Sequence, residues 1–173
     1  MKRIPLPESW RERAIVISDV DDPESWFTTL PEFKTEKRKR EWMLSRIAAQ
    51  QLGDAPYRSL SHSGRYAGAA IGDEPVGIDV QVVRDIDERA THLFLSDDEF
   101  ASMQRCTIAH RIIHFWCAKE AAWKQRGGEI STLKKIALKL KEETASGLLF
   151  DSVETFATED VVVALTTLTR PTS

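Results

Sequence analysis

Hydrophobic and polar positions along the chain mark out a sequence of short elements. AIVISDV (14–20) is an apolar run that predicts a first strand, followed by a Pro- and acid-containing loop. EKRKREWMLSRIAAQQL (36–52) reads as a helix, with Trp42, Met43, Ile47 and Leu52 among its apolar residues and Gly53 just past its end. YRSLSHS (57–63) and RYAGAAIG (65–72) read as strands on either side of Gly64. PVGIDVQV (75–82) alternates, with Val76, Ile78, Val80 and Val82 facing one way and Gly77, Asp79 and Gln81 the other. Ser96 opens a short helix, because Ser96-Asp-Asp-Glu99 is a capping box. A longer helix is expected over about 108–126, stopped by Gly127-Gly128. KIALKLK (135–141) alternates in the strand manner, and LLF, VETFA and VVVALTTL continue as strands to the end. This order predicts an α/β (α+β) chain of one domain over 1–173. It contains two lobes of related plan, about 12–75 and about 76–168.

Composition narrows the class. The 173 residues are 42% hydrophobic and 29% charged, as in an ordinary globular domain. A chain of this length buries roughly 70% of its unfolded surface and needs no disulfide or metal staple. The net charge of −3 argues against a protein directed to nucleic acid or to a membrane surface. Its two cysteines, Cys106 and Cys117, are too few for a disulfide framework and read as buried apolar residues in a reducing compartment. The N-terminal stretch has no apolar core of a secretory signal, and no run approaches the ~20 residues needed to cross a bilayer. The expected location is the cytoplasm.

Candidate chemistry concentrates in the second long helix, at FWCAKEAAWK (115–124). With Trp116 at the centre of a helical wheel, Ile112 and Trp123 lie within about 40° on one side, and Glu120 and Ile113 within about 60° on the other. Glu120 is thus expected inside the apolar stripe, with Lys119 and Lys124 at its borders. Ala118, Ala121, Ala122 and Gln125 occupy the opposite face. A carboxylate in an apolar stripe costs several kcal/mol unless a cation or hydrogen bond compensates it. The bland alternative is a surface Glu120–Lys124 pair at i,i+4. Asp79 and Gln81 project from one strand face about 6.8 Å apart, and such oxygen ligands suit Mg²⁺. SLSHSG (59–64) offers hydroxyls and an imidazole to a phosphate.

In this order and spacing, SLSHSG, VGIDVQ and FWCAKEAAWK resemble the successive signatures of the surfactin-type 4′-phosphopantetheinyl transferases. HLFLSDDEF (92–100) is similar to that family's Phe-rich segment, and REWMLSR (40–46) to its N-terminal helix, so the resemblance covers about 36–165. It implies a monomer of two pseudo-twofold-related lobes, each a small, mainly antiparallel sheet packed with a long helix. The active site would lie in the cleft between them. It also implies transfer of 4′-phosphopantetheine from coenzyme A to a serine of an acyl or peptidyl carrier protein, releasing 3′,5′-ADP, with no nucleic acid or membrane as partner. On this resemblance Asp79, Glu120 and Gln81 hold Mg²⁺, Glu120 takes the serine proton, and Lys124 serves the leaving side. Ser61, His62, Lys119, Arg40 and Arg46 contact coenzyme A.

The chain departs from that pattern in two places. Gln81 stands where the family usually has a second acid, and GDAPY followed by Arg58 stands where a Gly-Lys-Pro segment is common. A catalytically weak relative that binds coenzyme A or a carrier protein is the alternative these departures leave open. His110 and His114 share the i,i+4 spacing of a metallohydrolase helix. However, Arg-Ile-Ile separates them, no glutamate follows His110 directly and third ligands are not evident, so one partly buried and one exposed histidine is the expectation.

Overall fold

Local signals set the two long helices. The Thr35 hydroxyl accepts the Arg38 amide at 3.2 Å and starts α1, Glu36–Gln50. At the other long helix, α3 (Arg111–Gln125), the chain leaves through Gly127 and Gly128, both at positive φ. Between them α2 (Asp97–Arg105) carries the expected capping box with both reciprocal bonds formed. The computed structural model describes residues 1–167. The end of the last predicted strand, at Leu168, lies outside the described residues.

The strands form two antiparallel sheets. In the first, β1 (Lys2–Arg3), β2 (Ala14–Ser18), β3 (Tyr57–Ser63) and β4 (Tyr66–Gly72) stand in the order β1-β2-β4-β3. In the second, β5 (Ile78–Val82), β6 (Leu140–Glu143), β7 (Leu148–Phe150), β8 (Val153–Ala157) and β9 (Val161–Thr166) are ordered β5-β9-β8-β7-β6. The first sheet therefore begins at Lys2, ahead of the first strand expected from the pattern. No helix among the described residues is long and apolar enough to cross a membrane.

Three apolar clusters fix the layering. Leu44, Ile47 and Ala48 of α1 bury against Ile15, Ile17, Ala67 and Ala69 on one face of the first sheet. The other face of that sheet supplies Val16, Tyr66 and Ala70, which meet Ile78, Val80, Val161 and Val163 of the second sheet. Phe115, Cys117, Ala118 and Ala121 of α3 close the far side of the second sheet on Phe150, Val162 and Ala164. The helices are thus outermost and the sheets face each other, so apolar alternation along each strand is used on both sides.

β5 is the seam between the halves, and side chains make it. The hydroxyls of Ser59, Ser61 and Ser63 accept the amides of Ile78, Val80 and Val82, each at 3.0 Å. This ladder satisfies the edge of β5 that β9 leaves unpaired. Gly68 lets β4 approach, since a Cβ there would lie 2.6 Å from Val80 Cγ2.

One predicted strand is replaced. Thr132 caps a 3₁₀ turn at Leu133–Lys135, and residues 136–139 run extended without a strand partner. Leu138 donates to Glu99 Oε1 at 2.9 Å and Lys139 to Asp151 Oδ1 at 3.2 Å. Carboxylates satisfy these amides in place of a ladder, which starts only at Leu140. Burial of Ile136 and Leu138 alone produced the alternation.

Candidate active site

α3 sits unusually low on β5 because Gly77 has no side chain. A Cβ at Gly77 would lie 1.8 Å from the Ala121 carbonyl oxygen. The Cys117 thiol, on the same helix, donates to the Asp79 carbonyl at 3.3 Å. This contact brings the polar face of β5, Asp79 and Gln81, under one turn of α3, Glu120 to Lys124.

Asp79 is almost fully buried, 3% exposed. Lys124 Nζ donates to its Oδ1 at 2.8 Å and to the Ile78 carbonyl at 3.0 Å. Ser61 Oγ donates to the same Oδ1 at 2.9 Å, and Gln81 Nε2 donates to Oδ2 at 2.8 Å. Glu120 is half-buried, and its carboxylate takes no hydrogen bond or ion pair from another described residue. Burial, and then the charge of Asp79, raise its pKa above the ordinary 4.5, with Lys124 opposing. The result is an unpartnered carboxylate with raised proton affinity beside a fixed carboxylate and a partly exposed ammonium.

Two carboxylates near enough for the charge of one to act on the other, with an amide bonded to one of them, suit a hard divalent cation. Among the described residues no group of three or more His, Cys, Asp or Glu side chains could hold a metal ion. Asp79 and Glu120 supply only two such side chains, so a divalent cation held there would need further ligands such as phosphate oxygens and water.

Lys119 is not brought to this cluster. It is fully buried, and its ammonium lies 2.6 Å from Glu99 Oε1 and 2.7 Å from Oε2. It also donates to the carbonyls of Leu133 and Ile136. Burial lowers its pKa, and Glu99 partly restores it. Lys119 thus ties α2 and the 133–138 segment to α3, its ammonium held by Glu99 and two backbone carbonyls. The helical wheel had put it at a stripe border and Ala118, Ala121 and Ala122 on the opposite face. In the structure these alanines are fully buried and Trp116 is half-buried, so α3 has its core face where the small residues are.

A concavity of about 520 Å³ lies between α1 and β3 and is lined by Phe33, Arg38, Trp42, Ser45, Arg46 and His62 among others. The Arg46 guanidinium stacks 4.0 Å from the centre of the Trp42 ring, and His62 Nδ1 is 3.7 Å from Glu41 Oε1. Arg46 and His62 are brought together here, on the face of β3 opposite Ser61. Arg40 is exposed and does not line the groove, whereas Arg38 does. The signal for Arg38 was present: residues 38, 42 and 46 repeat at i,i+4 and share a helix face that position 40 does not. Arg58 turns back to Asp54, 3.4 Å away. His110 is exposed and His114 is fully buried on Thr155, so the two histidines do not converge.

The profile of the 4′-phosphopantetheinyl transferase superfamily matches residues 75–165, more than half of the chain, from just before β5 to β9. The chain is 34% identical over 89 residues to the 4′-phosphopantetheinyl transferase psf-1 of Bacillus pumilus, a match spanning 49% of this chain and 38% of that protein. It is 30% identical over 83 residues to the 4′-phosphopantetheinyl transferase Sfp of Bacillus subtilis strain 168, spanning 46% and 37%. To the B. subtilis 4′-phosphopantetheinyl transferase ffp it is 28% identical over 109 residues, 57% of this chain and 49% of that one. The chain thus spans less than half the length of the curated relatives it matches. The matched stretch contains Asp79, to which Gln81 and Lys124 bond where α3 crosses β5, and Glu120, which feels the charges of Asp79 and Lys124, and the chain belongs to the 4′-phosphopantetheinyl transferase superfamily.

Proposed function

We propose that this protein transfers the 4′-phosphopantetheine group of coenzyme A to a serine hydroxyl of an acyl or peptidyl carrier protein, releasing 3′,5′-ADP. The observation that carries this reading is the convergence of Asp79, Glu120 and Lys124 at the seam of the two halves, within the stretch that matches the family. The protein would act in the cytoplasm as a monomer, with the carrier and coenzyme A as its partners and neither nucleic acid nor a membrane involved.

In this reading the serine oxygen forms a bond to the pyrophosphate phosphorus on the pantetheine side. The bond from that phosphorus to the bridging oxygen breaks, leaving 3′,5′-ADP. Glu120, free of other partners and with raised proton affinity, accepts the serine proton. Lys124, 22% exposed, presents positive charge to the oxygen that gains it on departure. Asp79 and Glu120 would hold Mg²⁺, which supplies charge neutralisation to pyrophosphate oxygens when bound. The groove of Arg38, Trp42, Arg46 and His62 suits the nucleotide end, where cationic groups meet phosphate and aromatic rings meet a base.

The test is to incubate the purified protein with coenzyme A, Mg²⁺ and apo carrier proteins of fatty-acid, polyketide and peptide systems. Each modified carrier gains the mass of one phosphopantetheinyl group. Coenzyme A binding without a mass gain on any carrier would replace this reading with that of a binding protein.

A further inference from the structure

Among the three serines of the β3–β5 ladder, Ser61 alone has a second bond. All three accept an amide of β5, but only the Ser61 hydroxyl also donates, to Asp79 Oδ1 at 2.9 Å. On the other side of the same carboxylate, Gln81 Nε2 donates to Oδ2 at 2.8 Å. An ionised carboxylate only accepts, so the Gln81 amide must present its nitrogen there. Gln81 lies two residues along the same face of β5 and Ser61 across the seam, so the two side chains reach the carboxylate from different elements.

We propose that Ser61 and Gln81 are positioning residues that clamp the Asp79 carboxylate from both sides. In this arrangement Gln81 serves as a hydrogen-bond donor to the metal-holding residue rather than as a ligand. The inference rests on the reading of Asp79 as a metal ligand given above.

The chemistry explains why an amide works at position 81. A glutamate placed as Gln81 is would set two carboxylate oxygens 2.8 Å apart and would need a cation merely to be tolerated. Glutamine removes that repulsion and supplies a bond, so Asp79 is held before any cation arrives. Ser61 contributes through the seam. Its oxygen takes the Val80 amide while its proton goes to Asp79, so one hydroxyl fixes both the backbone of β5 and the side chain that β5 presents. With Lys124 also on Oδ1, the unclaimed lone pair of Asp79 is on Oδ2. A clamped ligand loses less freedom on binding a cation, and removing such support costs roughly 10–100-fold in metal affinity.

The ladder supplies its own control. Ser59→Ala and Ser61→Ala each leave one β5 amide without its acceptor, but only Ser61→Ala releases Asp79. Mn²⁺ binding in the presence of coenzyme A, followed by electron paramagnetic resonance on folded protein, separates the two. The expected result is a loss of about tenfold or more in affinity for Ser61→Ala and for Gln81→Met, and wild-type affinity for Ser59→Ala. Ser61→Thr, which keeps the hydroxyl, should restore most of the loss. Equal affinities in Ser59→Ala and Ser61→Ala, or wild-type affinity in Gln81→Met, would overturn the clamp. If Ser61→Ala does not fold, Gln81→Met decides alone. Wild-type protein that transfers phosphopantetheine yet binds no Mn²⁺ would remove Asp79 as a ligand, and the clamp with it. Wild-type protein that binds Mn²⁺ and transfers nothing would overturn the reaction only, and the clamp would still stand or fall on the variant affinities.

Discussion

Charged residues one position apart on α3 have opposite fates. Glu120 is half-buried without a partner, whereas Lys119 is enclosed and satisfied by Glu99. Breaking a buried pair strands the remaining charge, at a cost of about 3–5 kcal/mol. Lys119→Met should therefore lower unfolding free energy by about that amount in chemical denaturation, far more than loss of a surface phosphate contact would. His114 makes a second residue-scale prediction. The Thr155 hydroxyl donates to the Leu148 carbonyl at 3.2 Å, so His114 Nδ1, 2.7 Å from that hydroxyl, carries the proton. Nε2 is a buried acceptor without a partner among the described residues. Burial first, then the charge of His110, lowers the His114 pKa from 6.5 to about 4, with Glu143 opposing. Between those two pH values the unfolded chain takes up a proton that the folded protein refuses. Stability from this group is complete above pH 6.5 and is lost as pH falls towards 4, by about 3 kcal/mol. The stability difference between wild type and His114→Gln should be constant above pH 6.5 and shift by about 3 kcal/mol against wild type as pH falls towards 4. Parallel curves would remove His114 from the acid response.

At the scale of elements, the contact of β5 with α3 builds the candidate site, and Gly77 controls its depth. Gly77→Ala must move the strand or the helix, since its Cβ would fall 1.8 Å from the Ala121 carbonyl oxygen. We expect a loss of about 3 kcal/mol in stability, together with a fall in transfer activity in protein that is still folded at low temperature. Unchanged activity would mean that the site tolerates a looser crossing. Much of this level was legible in the chain. The alternation of PVGIDVQV separated the core-facing valines from Asp79 and Gln81, and the capping box at Ser96 and the glycine pair after α3 set helix limits. The misplaced strand at 135–141 and the misread face of α3 share a physical cause. Glu99 satisfies the Leu138 amide and the Lys119 ammonium from another element, a role that periodicity does not encode. The serine ladder escaped notice for the same reason, because its bonds join residues 19 positions apart through side chains.

For the whole molecule, the two halves carry different side-chain clusters, which the proposed function joins in one reaction. The first sheet and α1 carry the groove with two arginines and a stacked tryptophan, while the second sheet and α3 carry the carboxylates and Lys124. Ser61 belongs to the first half and bonds Asp79 of the second, so the seam itself is part of the site. The family match covers the second half, which contains Asp79, Gln81, Glu120 and Lys124. The i,i+4 spacing of positions 38, 42 and 46 puts Arg38 on the groove face of α1, and only the packing of α1 on β3 brings His62 to that face. The central claim is that Glu120 drives transfer at this seam. Its most direct test is the rate at which an apo carrier gains phosphopantetheine mass, measured for wild type and Glu120→Gln under the same Mg²⁺ and coenzyme A. The account predicts a folded variant slower by about 10²–10⁴-fold. A folded Glu120→Gln that modifies the carrier at the wild-type rate would contradict it.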